Sequence, residues 1–147
     1  MNGRLFLKRL LYGSAWRLNS TEQLIADTIL TVLPRGEACI VREQVCAIEI
    51  IQRTARGRMV LFFYSEARPP KPLPSQHDEF CLAKLEITDG KRNGTVRVQM
   101  YHGHCRSLEF SRSPKEFSSV RITSVEIHPK PGKSLTSALN RLEHGTT

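Results

Sequence analysis

The run Tyr101-His102-Gly103-His104-Cys105 holds two imidazoles and a thiol within four positions, the densest group of chemistry-bearing side chains in the chain. Imidazole nitrogen and thiolate sulfur are zinc and copper ligands. Strand alternation brings His102 toward Cys81 on a neighbouring strand, so His102, His104 and Cys81 form a candidate metal set. His77 and Asp78, at the end of a proline-rich loop, approach the same rim. A closed site needs three or four ligands at fixed spacing, and only two donors here are close together. Turn imidazoles and a small apolar cysteine account for the same residues without a metal, so the expectation is no cofactor.

A nucleophile reading fares no better. Cys105 beside His104 is not a catalytic pair, because such partners meet in space rather than in sequence. The chain contains no CxxC, GxSxG, P-loop, HExxH or dinucleotide GxGxxG. Enzyme function therefore has no positive support from motifs.

The elements that position these residues read as a β-meander over Phe80–Arg112. Pairing Ile87 with Val96 sets Leu85 against Val98 and Ala83 against Met100. Pairing Val98 with Leu108 sets Val96 against Phe110, with Gly103 at the centre of a three-residue loop. Arg97 then lies between Glu86 and Glu109 on the other face, and Asn93-Gly94 reads as a turn pair. A one-residue slip would send every side chain to the wrong face.

Further strands are expected at 47–54, 58–64 and 120–128, beside 80–88, 95–102 and 105–111. Arg56-Gly57 is the turn of the first hairpin, and its second arm, Met59 to Phe63, is apolar on both faces. Residues 20–33 read as a helix, with Ser20 as cap, Gln23 completing a capping box, and Leu24, Ile25, Ile29, Val32 and Leu33 as the stripe. Pro34 and Gly36 end it, and Glu37 to Val45 is a short second helix or an irregular lead-in. The loop 66–78 has four prolines and reads as a stiff connection, with Pro69 to Pro72 matching a PxxP ligand only in form.

The fold expectation is α+β: an antiparallel meander sheet of about five to six strands with an N-terminal helix packed on one face. The organisation is a basic amphipathic segment at 1–19, one domain at 20–128, and a tail at 129–147 with a short helix through Leu135, Ala138, Leu139 and Leu142.

The net charge is +8, of which residues 1–21 hold +4 and residues 22–128 only +2. Basic character thus belongs mainly to the ends, and Arg4, Lys8, Arg9, Trp16 and Arg17 are the candidate nucleic-acid or partner contacts. The leading functional expectation is a soluble, non-enzymatic protein-interaction or accessory module. Its apolar termini, including Leu5, Leu10 and Leu11, would supply a protein partner or self-association. The alternatives are a nucleic-acid-associated protein using its basic termini, and a metal-binding or Cys/His enzyme at the His102–His104 turn. No apolar run nears the roughly 18 residues of a membrane span. Four separated cysteines without a clear secretory leader suit a cytoplasmic protein. The acid-free start would also suit a mitochondrial transit segment in a eukaryotic host.

Overall fold

The computed structural model describes residues 17–129. The helices α1 (Ser20–Val32) and α2 (Arg35–Cys46) come first. Six strands follow: β1 (Ile50–Thr54), β2 (Met59–Phe63), β3 (Glu79–Thr88), β4 (Asn93–Tyr101), β5 (His104–Phe110) and β6 (Arg121–Ile127). The architecture is α+β, with both helices preceding one antiparallel sheet of order β1-β2-β5-β4-β3-β6. Among the described residues no helix is long and apolar enough to cross a membrane. The expected tail helix and most of the basic N-terminal segment lie outside the described residues.

The sheet order dictates the long connections. β2 pairs with β5, and β6 pairs with β3, so the meander β3-β4-β5 is inserted between the first hairpin and the last strand. Residues 64–78 must therefore cross one end of the sheet, called the lower end below, and residues 111–120 the other. The lower crossing is docked on the β4–β5 turn: the Leu73 N–H donates to the Gly103 carbonyl at 2.7 Å, and the His102 N–H to the Asp78 carbonyl at 2.7 Å.

The β4–β5 register is the expected one, with Val98 opposite Leu108, Val96 opposite Phe110 and Arg97 opposite Glu109. The turn itself is tighter than expected. His102 and Gly103 are its two central residues, both at positive φ (49° and 78°), as a right-twisted two-residue hairpin requires. The β3–β4 register is corrected by two residues: Leu85 faces Val96, Ala83 faces Val98, and Arg97 faces Lys84 rather than Glu86. The cause is the turn. Asp89 Oδ1 accepts from the Lys91 and Arg92 N–H groups at 2.9 and 2.7 Å, closing a loop at 89–92. Asn93 and Gly94 therefore belong to β4. Gly94 is closely approached there, since a Cβ would lie 3.0 Å from the Phe117 ring.

The cap of α1 is Asn19, one residue earlier than expected. Its side chain accepts from the Glu22 N–H, and the Glu22 carboxylate accepts from the Asn19 N–H. Ile25, Ile29 and Leu33 of the stripe are buried, whereas Leu24 and Val32 are exposed. Pro34 does not merely end α1. It is the N-cap position of α2, whose inward face is Ala38, Val41 and Gln44. Against the helices the sheet presents Val60, Phe62, Leu82, Leu85, Val96, Val98, Leu108 and Phe110, all in one buried cluster.

Candidate functional site

The sequence-predicted metal donors are not brought together. Cys81 lies opposite Gln99, and its thiol donates to the Ala83 carbonyl at 3.2 Å. His102 lies against Tyr101, with Nδ1 3.4 Å from Asp78 Oδ1. His104 instead sets Nε2 2.6 Å from the Pro70 carbonyl and its ring 5.6 Å from Tyr64. The reason is the two-residue register shift, together with a bulge between Cys81 and Ala83 that keeps Leu82 and Ala83 both on the helix side. Among the described residues no group of three or more His, Cys, Asp or Glu side chains is placed to hold a metal ion. Of the predicted partner contacts, Arg4, Lys8, Arg9 and Trp16 lie outside the described residues. The Arg17 carbonyl accepts from Arg53 Nη2 at 3.0 Å.

The same turn is held by a side chain that sequence reasoning passed over. Gln44 is fully buried. Its Nε2 donates to the Lys71 and Gly103 carbonyls at 2.9 and 2.8 Å, and its Oε1 accepts from the Cys105 N–H at 2.9 Å. One amide thus joins α2, the proline loop and the hairpin. The available signal was a glutamine on the inward face of a helix, three residues after Val41.

The cysteines are all free, with Cys39 and Cys46 exposed, Cys81 half-buried and Cys105 buried. Burial pushes the Cys105 thiol up to about 12. Burial, and then the neighbouring Cys105, also raise the Tyr64 phenol, which donates to the Cys105 carbonyl. The folded state keeps the Cys105 thiol protonated where the unfolded chain releases it. Stability from this group is therefore whole below about pH 9 and falls as pH rises toward 12. We expect the loss of unfolding free energy between pH 8 and 10 to be about 1 kcal/mol larger in wild type than in Cys105→Ala. Urea unfolding at the two pH values measures it, and equal losses in both proteins would refute it. A thiol reagent should label Cys39 and Cys46 in the native state and Cys105 only after denaturation.

The remaining surface with organised chemistry is the sheet face opposite the helices, which no described element covers. Cross-strand pairing arranges it in rows. An uncharged middle row runs Gln52, Leu61, Ser107, Gln99 and Cys81. The row above it runs Thr54, Met59, Glu109, Arg97, Lys84 and Glu126. Below it, Phe63 pairs with Ile50 and Tyr101 with Glu79, and the Arg106 guanidinium lies 4.7 Å over the Phe63 ring. Tyr101 is 45% exposed, one of the few large hydrophobic residues so open. Arg97 keeps Glu109 as a cross-strand neighbour but faces Lys84 in place of Glu86, and it forms no ion pair within 4.0 Å among the described residues.

No family model, characterised protein or solved structure matches the chain.

Proposed function

We propose that the chain is a non-enzymatic protein-interaction module, and that its contact surface is the uncovered sheet face. The observation that carries the reading is the order of charges in the rows. A two-fold axis along the middle row lays the upper row of one copy over the lower row of another. Glu109 then meets Arg106, Arg97 and Lys84 meet the Tyr101–Glu79 pair, Met59 meets Phe63, and Leu61 meets its own copy. An interface that matches itself in this way is what a two-fold dimer requires. Two antiparallel sheets packed face to face form a sandwich about 10 Å thick. The partner this face fits is accordingly a second copy of the chain.

The test is sedimentation velocity on the full chain over a wide concentration range. Wild type is expected to dimerise. Glu109→Arg sets like charges against Arg106 across the interface and should weaken association at least about tenfold, given that like-charge contacts cost several kcal/mol. Adding Arg106→Glu to the same chain restores the opposite-charge contact and should recover most of the loss. A wild-type protein that stays monomeric throughout, or a double variant no better than Glu109→Arg, would overturn the reading.

A further inference from the structure

Residues 22–128 are nearly neutral in sum, but the fold separates their charge. Three connections meet at the upper end of the sheet. The β1–β2 turn holds Arg56 and Arg58, the β3–β4 turn holds Lys91 and Arg92, and the β5–β6 crossing holds Arg112 and Lys115, with Arg121 opening β6. All seven side chains are exposed. The connections are mutually anchored: the Ser113 hydroxyl donates to the Arg56 carbonyl at 2.6 Å, Arg92 Nη1 to the Glu116 carbonyl, and the Ser118 N–H to Asp89 Oδ2 at 3.1 Å. The rim is thus a fixed surface rather than three separate loops.

Only two acids, Asp89 and Glu116, lie in these connections. Asp89 is committed to the turn, accepting from three backbone N–H groups. None of the seven cations forms an ion pair within 4.0 Å among the described residues. Like-charged, exposed side chains gathered at one end of a sheet repel one another in the free protein. A polyanion would relieve that repulsion.

We infer that this rim binds the phosphate backbone of double-stranded nucleic acid. The surface is independent of the sheet face proposed above. Six strands at about 4.8 Å spacing make the rim about 24 Å wide, a length over which a duplex displays roughly fourteen phosphate charges. Five of the seven cations are arginines, whose planar fork suits phosphate oxygens. The aromatic residues nearest the rim, Phe110 and Phe117, are buried, so nothing there can stack on unpaired bases. Binding should therefore be indifferent to sequence and should favour duplex over single strand. The Arg17 carbonyl is bonded to Arg53, next to the Thr54 that begins the β1–β2 turn, whereas Arg4, Lys8 and Arg9 lie outside the described residues.

The experiment is fluorescence anisotropy on a short DNA duplex of arbitrary sequence, using the full chain at several salt concentrations. Neutralising about five phosphates predicts a slope of log K against log salt near −4.5. The triple variant Arg56→Gln, Arg112→Gln, Lys115→Gln should flatten the slope by about 3. Those three side chains make no hydrogen bond among the described residues, and an unchanged melting curve confirms that the variant is folded. The matched variant Arg4→Gln, Lys8→Gln, Arg9→Gln should flatten it less. An unchanged slope in the rim variant, or a larger effect in the N-terminal variant, would overturn the assignment. So would tighter binding to a single strand than to the duplex. Poly-glutamate competing as well as duplex, charge for charge, would make the rim a site for acidic protein and would equally overturn it.

Discussion

Gly103→Ala is expected to cost about 3–5 kcal/mol of unfolding free energy, in the range reserved for strain at special backbone positions and broken polar networks. Gly103 sits at φ +78°, and a Cβ there would lie 2.5 Å from the Leu73 carbonyl oxygen and 2.7 Å from Pro72 Cβ. Neither contact is with the end of a flexible side chain, so the whole lower crossing would have to lift. Lifting it breaks the Leu73 N–H bond to Gly103 and takes the Lys71 carbonyl away from Gln44. Gln44 is fully buried, so its freed N–H has no access to water until the α2 contact opens too. Gly36→Ala is the control. It has open space around it and no positive φ, and it lies in the first turn of α2, so the change should be neutral or slightly stabilising. Urea unfolding compares the two, and hydrogen exchange should show the amides of Leu73 and His102 losing protection in Gly103→Ala alone. A Gly103→Ala protein within about 1 kcal/mol of wild type would show that the crossing is not held through this turn.

The strands were legible because their side chains alternate, and each observed span begins and ends within about three residues of the expected one. The β4–β5 register was legible for a stronger reason: Val96, Val98, Leu108 and Phe110 can share a face in only one way across so short a turn. The β3–β4 register was not. Asn-Gly is a strong turn signal, but here the Asp89 carboxylate closes an earlier turn and Phe117, arriving from a distant loop, closely approaches Gly94 in the strand. The local turn at Asp89, joined by a tertiary contact, outweighed the Asn-Gly signal, and a two-residue shift preserved the faces while replacing Glu86 by Lys84 as the neighbour of Arg97. The second helix was obscured by its own composition. Gly36, Arg42, Glu43 and Gln44 interrupt the apolar stripe, and the buried Gln44 serves a hairpin about sixty residues away.

Candidate sites followed the same division. The His102–His104 turn was visible because its residues are adjacent in sequence, yet adjacency placed the two rings on different partners, Asp78 and Pro70. The basic rim was invisible because its cations come from three connections far apart in sequence, at 55–58, 89–92 and 111–120, and summing charge along the chain averaged it away. Charge becomes informative about a surface only once the topology says which loops share an end of the sheet.

Arg53→Met should cost about 3 kcal/mol, more than any other replacement of an exposed or half-exposed cation, because it orphans a buried carboxylate. Glu22 is 2% exposed, and Arg53 meets it with two bonds, Nε to Oε2 at 2.8 Å and Nη2 to Oε1 at 2.6 Å. The hydrogen bond to Glu22 is the main reason the Arg53 pKa is raised. Arg53 is on β1 and Glu22 in the first turn of α1, so this pair fastens the helix to the edge of the sheet. The cost of the single change lies in the charge left behind rather than in the bond lost. A second change should therefore reduce it. Glu22→Gln keeps an acceptor for the Asn19 N–H, since glutamine also serves in a capping box, and removes the buried charge. The double variant Glu22→Gln, Arg53→Met is expected to be more stable than Arg53→Met alone by about 1–2 kcal/mol, a coupling energy typical of contacting charges. Equilibrium unfolding of the four proteins closes the cycle. Strict additivity, with the double variant less stable than either single, would mean that the pair contributes only packing and that α1 is held on the sheet by Ile25 and Ile29.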